Sequence, residues 1–305
     1  MITYNHEKYI REAIEGVLMQ ECDFEVELIV ANDCSPDETN KIVNDIIKTH
    51  PRGHWIKYTE HTENKGMMPN FIWALEQCKS TYIALCEGDD YWTNPLKLQK
   101  QVDFLEENKQ CSFCFHKAFI KDESASFNKN LLSYPIGLSK TILNTSEYLN
   151  IVTTATCSLV FRNIILEVFN VLEHSQGDFI LYCELLHYGK AGFIDEIMSV
   201  YRKHEKGISF NNFSEGYLLN RIIELKREQK SFKNQIVKKE IGRIYKIHIK
   251  RYLRLYKTTF LNRKIIYLYI ELLFNKSNRI EFYQKNLRKV KVKFKKGFNL
   301  TNFFR

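Results

Sequence analysis

The sequence predicts an α/β protein: a mostly parallel sheet with helices on both faces, followed by a basic, mainly helical C-terminal extension. Three observations carry that reading. Through the first 110 residues or so, short apolar runs alternate with segments of helical period. Polar and acidic turn residues follow those runs, at the carboxyl ends where open α/β sheets bind ligands. Charge then divides the chain. Residues 221–305 hold 25 Lys+Arg against 5 Asp+Glu, whereas residues 1–220 hold 20 against 31, so the net charge of +9 conceals an acidic body and a basic tail. The expected domains are 1–214 for the α/β body and 215–305 for the extension.

The elements follow in order. Ile2 and Thr3 read as the end of a strand whose beginning is missing, and Asn5 as a cap for the next helix. Tyr9, Ile10, Ala13, Ile14, Val17 and Leu18 recur on one face of that helix. Glu27–Ala31 is the second strand. Ser35-Pro36-Asp37-Glu38 then reads as a helix start, with Ser35 as N-cap, Pro36 as first helical residue and Glu38 as capping-box partner. Ile42, Val43, Ile46 and Ile47 form the buried face of that helix.

Trp55–Thr59 is a third strand, His61–Gly66 a polar loop, and Pro69–Lys79 a helix. Tyr82–Cys86 is an apolar strand running straight into Glu87, Gly88, Asp89 and Asp90. Asn94 and Pro95 start a helix with Leu98, Val102 and Leu105 inward. Beyond residue 110 the order changes to a strand at Cys111–Ile120, an irregular loop over 122–145 and a strand at Ala155–Phe161. A helix at Asp178–Tyr188 and a strand at Phe193–Tyr201 close the body. From about 215 the pattern is basic and helical, with Ile222, Ile236, Ile244 and Ile249 spaced through it. Lys289–Lys296 alternates basic with apolar.

Composition narrows the classes. Hydrophobic content of 44% and charged content of 27% are ordinary for a globular chain. The N-terminus turns polar at Thr3, unlike a secretory signal. The longest apolar run, Ile265–Phe274, has ten residues and carries Glu271, short of the ~18 needed to span a bilayer. Among eight cysteines, the sole CxxC is Cys111-Ser112-Phe113-Cys114, with no second pair to complete a zinc site. A cytoplasmic location is expected. Neither GxGxxG nor GxxxxGK[ST] occurs.

Three carboxylates within four positions, Glu87, Asp89 and Asp90, repel one another unless a cation joins them. Hard oxygen ligands suit Mg²⁺ or Mn²⁺, and such an ion usually also holds a substrate phosphate. A solvated acidic turn is the competing reading.

Five separated motifs resemble one known family. They are Thr3-Tyr4-Asn5-His6; Ala31-Asn32-Asp33-Cys34-Ser35 with Asp37; and Asn64-Lys65-Gly66 with Asn70. Then come Glu87-Gly88-Asp89-Asp90-Tyr91-Trp92 with Pro95, Lys97, Leu98 and Gln101, and finally Gly177-Asp178 with Tyr201-Arg202-Lys203-His204. Over about residues 1–210 the chain is similar to the family 2 glycosyltransferases of GT-A fold. The resemblance does not reach the tail.

It implies inverting transfer of a sugar from a nucleotide diphosphate sugar, a UDP-sugar foremost, assisted by Mg²⁺ or Mn²⁺. The acceptor would be a hydroxyl of a glycan or lipid-linked molecule in cell-surface polysaccharide synthesis. By the same resemblance, Thr3, Tyr4, Asn5, Asp33, Asn64, Lys65, Gly66, Glu87, Gly88, Asp89 and Arg202 surround the nucleotide sugar. Asp89, Asp90 and His204 hold the metal, and Asp178 is the general base. Many members have Asp-X-Asp where this chain has Glu87-Gly88-Asp89.

Physical chemistry runs beside this. A diphosphate leaving group needs its charge stabilised, and an attacking hydroxyl needs a base. A helix N-terminus keeps Asp178 ionised, although capping that helix is its simpler role. Arg202 pairs with a diphosphate, or else with Asp195 or Glu196. Tyr91 and Trp92 line a pocket or anchor the loop. The histidines other than His204 show no ligand spacing.

The basic tail reads either as an anchor to an anionic membrane surface, at about 1 kcal/mol per basic residue, or as solvated helices. Peripheral attachment at the inner membrane face follows from the first. The alternative functions are a non-catalytic sugar-nucleotide binding protein and a nucleotidyltransferase-like protein of the same fold group. Nucleic-acid binding would rest on the tail alone and ranks last.

Overall fold

In a computed structural model, the structure describes residues 1–123, 130–135, 137–150, 154–164, 177–205, 207 and 215–255. The runs Ile265–Phe274 and Lys289–Lys296 lie outside the described residues.

The body is α/β, as expected. Its first half is βαβαβα: β1 (Ile2–Thr3), α1 (Ile10–Leu18), β2 (Leu28–Asn32), α2 (Thr39–Thr49), β3 (Ile56–Glu60) and α3 (Met67–Gln77). These three strands pair in parallel in the order β1-β2-β3. The apolar face of α1, Ile10, Ala13, Ile14, Val17 and Leu18, is buried as its period requires.

Both proposed helix caps fail. Asn5 lies five residues ahead of α1, which starts after Tyr9. Helix α2 starts after Glu38, three residues later than Ser35-Pro36 suggests. Ser35 Oγ instead accepts the Asn5 amide at 3.0 Å and donates to Asn32 Oδ1 at 2.5 Å. Asp37 Oδ1 accepts the Thr39 amide at 3.1 Å. Partners on the neighbouring loop displace the local capping box, a competition open to any Ser or Asp.

The fourth strand departs from the simple alternation. β4 (Tyr82–Ala84) joins a second sheet in the order β4-β9-β6-β10-β5. Its members are β5 (Tyr91–Trp92), β6 (Cys111–Asp122), β9 (Val160–Arg162) and β10 (Lys190–Lys203). β4 pairs antiparallel with β9, and among the described residues β6 and β10 are the one parallel pair of that sheet. The stretch expected as loop contains β7 (Asn130–Tyr134), paired with β6, and β8 (Ile142–Leu143), paired with β10. Among the described residues, helices α4 (Lys97–Glu107), α5 (Thr145–Asn150) and α6 (Gly177–Tyr188) also belong to this part. α6 is buried nearly all round, through Ile180, Leu181, Tyr182, Cys183, Leu185 and Leu186. The two sheets meet where the Gly88 amide donates to the Ile2 carbonyl at 2.9 Å.

Helices α7 (Glu215–Ser231) and α8 (Gln235–Leu255) follow. The chain divides into two compact units, residues 1–212 with 226–241, and residues 213–225 with 242–305. In the second unit Leu218, Ile222 and Leu225 are buried, as are Tyr245, Ile249 and Tyr252. Each trio follows i, i+4, i+7, one face of a helix. Among the described residues no helix is long and apolar enough to cross a membrane.

Beneath the acidic turn lies an unusual core. Lys97 is fully buried, with Nζ 3.9 Å from the Trp92 ring centroid and 2.7 Å from Gln101 Oε1. Gln101 Nε2 donates to the Ser158 carbonyl at 2.9 Å, and Trp92 Nε1 to that of Cys157 at 2.9 Å. Trp92 therefore anchors the loop rather than lining a pocket. Burial pushes the Lys97 amine down to about 8. In the unfolded chain it titrates near ~10.4, so between these values the unfolded state binds more protons and stability rises with pH. Lys97→Met removes that term. Urea denaturation is expected to show wild type gaining up to about 3 kcal/mol on the variant between pH 8 and 10.5, with a constant difference at lower pH.

Candidate active site

The site forms where β1, β2, β4 and β10 end. After β1, Asn5 turns the chain with φ of 60°, a left-handed conformation that Asn tolerates. Hydrogen bonds to the loop after β2 hold this turn. The Asn5 amide meets Ser35, the His6 amide meets Thr39 Oγ1 at 3.0 Å, and the Asp33 amide meets the Thr3 carbonyl at 3.0 Å. Tyr4 is 46% exposed at the rim.

Asp33 is buried and organises the neighbouring loop. Its Oδ1 accepts the Lys65 amide at 2.8 Å and its Oδ2 the Gly66 amide at 2.9 Å, while Asn64 donates to its carbonyl at 3.1 Å. Gly66 has φ of 89°, which few other residues adopt. Asn70 ties α3 to β2 through the Ala31 carbonyl, at 3.0 Å. The structure thus brings Asp33, Asn64, Lys65 and Gly66 into one cradle.

The acidic turn after β4 presses against the first strand. A Cβ on Gly88 would stand 2.7 Å from Thr3 Oγ1 and 2.9 Å from His6 Nδ1, so glycine alone permits the approach. Within the turn the three acids separate in charge. Asp89 Oδ2 lies 3.0 Å from His204 Nε2 and 3.8 Å from His6 Nε2. Burial works against its charge, but the His204 hydrogen bond and the nearby imidazoles outweigh this and hold its pKa low. Glu87 is pushed up to about 8 by burial, then by the charge of Asp89, and its Oε2 is enclosed without a partner. Asp90 is raised well above the carboxylate range by burial and its two acidic neighbours. Burial and mutual repulsion thus push Glu87 and Asp90 toward the neutral form, while the imidazoles favour the charge on Asp89.

Two expectations are corrected here. Asp90 stands outside the cluster of His6, Asp89 and His204 that could hold a metal ion. It is buried, with Oδ1 accepting the Arg202 amide at 2.8 Å, and so belongs to the wall beneath the site. Arg202 does not offer a free guanidinium to a diphosphate, and it meets neither Asp195 nor Glu196, which pair with Lys117 and Lys100. It donates to the Asp89 carbonyl at 2.7 Å, pairs with Glu12, lies 3.5 Å from Glu123, and stacks 4.3 Å from the Tyr91 centroid. Its work is to hold the acidic turn.

Three donor atoms converge, from His6, Asp89 and His204, all within 4.8 Å of one another. An ionised carboxylate with imidazoles is a fitting donor set for a divalent ion. Sequence reasoning named Asp89 and His204 but passed over His6, whose place in this cluster has no local spacing to reveal it. Asp178 sits exposed in the first turn of α6, with Oδ1 accepting the Phe179 amide at 2.7 Å, and its charge reaches Glu87. Beside His204 a cavity of about 520 Å³ opens, lined among others by Lys8, Tyr9, Lys121 and Glu123.

The model of the family described as Glycosyl transferase family 2 matches residues 1–169. An uncharacterized protein of Mycobacterium tuberculosis (strain ATCC 25618 / H37Rv) is 34% identical over 215 residues, which is 68% of this chain and 58% of the relative. The chain thus spans well under two thirds of that protein's length. The UDP-Glc:alpha-D-GlcNAc-diphosphoundecaprenol beta-1,3-glucosyltransferase WfaP of Escherichia coli is 26% identical over 218 residues, covering 70% of this chain and 79% of WfaP. Among solved structures, TarS 1–349 of S. aureus in complex with UDP-GlcNAc aligns over 88% of this chain and 77% of its own, with a TM-score of 0.63 and 18% identity. The mannosyltransferase PcManGT of Pyrobaculum calidifontis, in complex with GDP-Man and Mn2+, aligns over 91% and 80%, with a TM-score of 0.54 and 13% identity. These last two are likenesses of fold.

The contact of Gly88 with Thr3 and His6 generates a direct test of the site's construction. Gly88→Ala is expected to lose about 1–3 kcal/mol of stability by overpacking, read by urea denaturation.

Proposed function

The chain belongs to glycosyl transferase family 2, and we propose that it transfers a sugar, with inversion, from a nucleotide diphosphate sugar to a hydroxyl of a glycan or lipid-linked acceptor. The observation that carries this reading is Asp89 facing His204 beside the Asp33–Gly66 cradle, at the strand ends of a GT-A-like sheet. The cradle takes the nucleoside, with Tyr4 free to stack on its base. Thr3, Asn5, Glu87 and Gly88 border the diphosphate and sugar. Asp89 and His204 would hold the Mg²⁺ or Mn²⁺, which supplies Lewis-acid stabilisation of the departing diphosphate.

Asp178 serves as the base. It accepts the acceptor hydroxyl's proton as the new C1–oxygen bond forms and the C1–phosphate oxygen bond breaks, releasing the nucleoside diphosphate. A UDP-sugar is the foremost donor, and cell-surface polysaccharide synthesis the setting. Relatives named for UDP-glucose and a diphosphoundecaprenol acceptor, and for teichuronic acid biosynthesis, support both. We take residues 1–214 as the transferase domain and 215–305 as its extension.

Incubation with Mn²⁺ and a panel of nucleotide sugars, followed by assay of slow donor hydrolysis, tests the activity and names the donor. Asp178→Asn is expected to keep donor affinity while transfer falls by about 10²–10⁴. Full transfer in that variant removes Asp178 from the reaction, and no turnover of any donor by the unaltered chain leaves a binding module.

The excess of 25 Lys+Arg over 5 Asp+Glu in residues 221–305 fits attachment to an anionic membrane surface at the inner face. Flotation of the protein with anionic vesicles at low salt, and its release at high salt, is the expected outcome. A failure to float at low salt removes the attachment.

A further inference from the structure

We propose that His6 is a ligand of the metal ion, completing with Asp89 and His204 a set of two imidazoles and one carboxylate that favours Mn²⁺ over Mg²⁺. The inference rests on reading this site as a metal and diphosphate site.

Three observations support it. The first is separation. Adjacent ligands on an octahedral ion with bonds near ~2.1 Å stand on the order of 3 Å apart, and opposite ones ~4.2 Å. The Asp89–His204 pair is at 3.0 Å, the Asp89–His6 pair at 3.8 Å, and no pair exceeds 4.8 Å. The three side chains therefore need little adjustment to share one ion.

The second is orientation. Metal-binding imidazoles engage their second ring nitrogen with a neighbouring group, which fixes the ring. His6 Nδ1 lies 3.2 Å from Thr3 Oγ1, leaving Nε2 to face Asp89. The backbone is fixed as well, by the His6 amide on Thr39 Oγ1 at 3.0 Å and by Asn5 in its left-handed turn. His204 is held by ring contact with Tyr9, their centroids 4.9 Å apart.

The third is room. The bare Cα of Gly88 lets the acidic turn come within reach of His6, where any Cβ would meet His6 Nδ1 at 2.9 Å. One function accounts for all three: His6 is brought to Asp89 by a turn, an orienting hydroxyl and a glycine.

Selectivity follows from donor chemistry. Mg²⁺ prefers oxygen ligands and retains water, whereas imidazole suits the later divalent ions. Two imidazoles and one oxygen donor shift the balance toward Mn²⁺. With three protein donors, coordination positions stay open for diphosphate oxygens.

The test titrates Mn²⁺ into the metal-stripped full-length protein, with and without UDP. Binding is read from loss of the free-ion paramagnetic resonance signal, and directly bound imidazole nitrogen from electron spin-echo modulation. Wild type is expected to bind Mn²⁺ at least about tenfold more tightly than Mg²⁺ and to show modulation from two imidazoles. His6→Asn keeps an amide near the Nδ1 position, to meet Thr3, and lacks Nε2. It is expected to lose about 10-fold or more in Mn²⁺ affinity, to show one imidazole, and to narrow the Mn²⁺ preference. His6→Gln is the second variant should thermal melts show that His6→Asn does not fold. Unchanged affinity and modulation in the folded variant, while Asp89→Asn abolishes binding, overturns the role of His6 and leaves the metal reading standing. No Mn²⁺ binding by wild type in either condition overturns both.

Discussion

Arg202 fastens two consecutive acids at once. Its amide meets Asp90 Oδ1 at 2.8 Å and its guanidinium meets the Asp89 carbonyl at 2.7 Å. Glu12, Glu123 and the Tyr91 ring balance and stack the cation, so a charge with its side chain 2% exposed is not left uncompensated. From that fixed point the geometry of the site follows. Asp89 must face His204, which is two residues beyond Arg202 on the same chain. Asp90 must face inward. The acidic turn must lie against Thr3 and His6.

The same arrangement resolves the repulsion among the acids. Three anions in one turn would oppose folding. The imidazoles hold the pKa of Asp89 down against its burial, whereas burial and the neighbouring acids push those of Glu87 and Asp90 up. Each carries a buried oxygen without a partner, and groups so placed respond strongly when a cation or donor arrives. The core beneath follows the same economy: Lys97 lies under Trp92 and against Gln101, a buried cation held by a ring and an amide.

How much of this was legible depended on how far apart the interacting residues lie. The face of α1 from Ile10 to Leu18 read correctly because hydrophobic period is a local signal, whereas α4 buries Lys97 and Gln101 beside Leu98 and Leu105 and leaves Val102 half-buried. The acidic turn and the Asp33 and Asn64–Gly66 motifs were legible through the resemblance, and the structure brings the last two together. The helix caps misled. A Ser followed three residues later by Glu is a strong local pattern, but Asn5 from another loop took the serine. The partner of β4 was hidden, since pairing with β9 spans about 80 residues that carry no mark of it. Arg202 read as a partner of a diphosphate or of Asp195 or Glu196, because Glu12, its actual partner, is 190 residues away. His6 was passed over for the same reason: its neighbours come from separate stretches, and His204 stands 115 residues from Asp89.

The meeting of the two sheets has a further consequence. The parallel β1-β2-β3 sheet and the mixed sheet touch at the acidic turn, through the bond from Gly88 to the Ile2 carbonyl. A molecule seated here has Asp33 and the first turn on one side and Asp89 and His204 on the other. Occupancy therefore acts as a staple across a seam. Whatever affinity a ligand has for the assembled site is returned as resistance of the two sheets to parting. The seam is where slow amide exchange would report whether the cleft is filled.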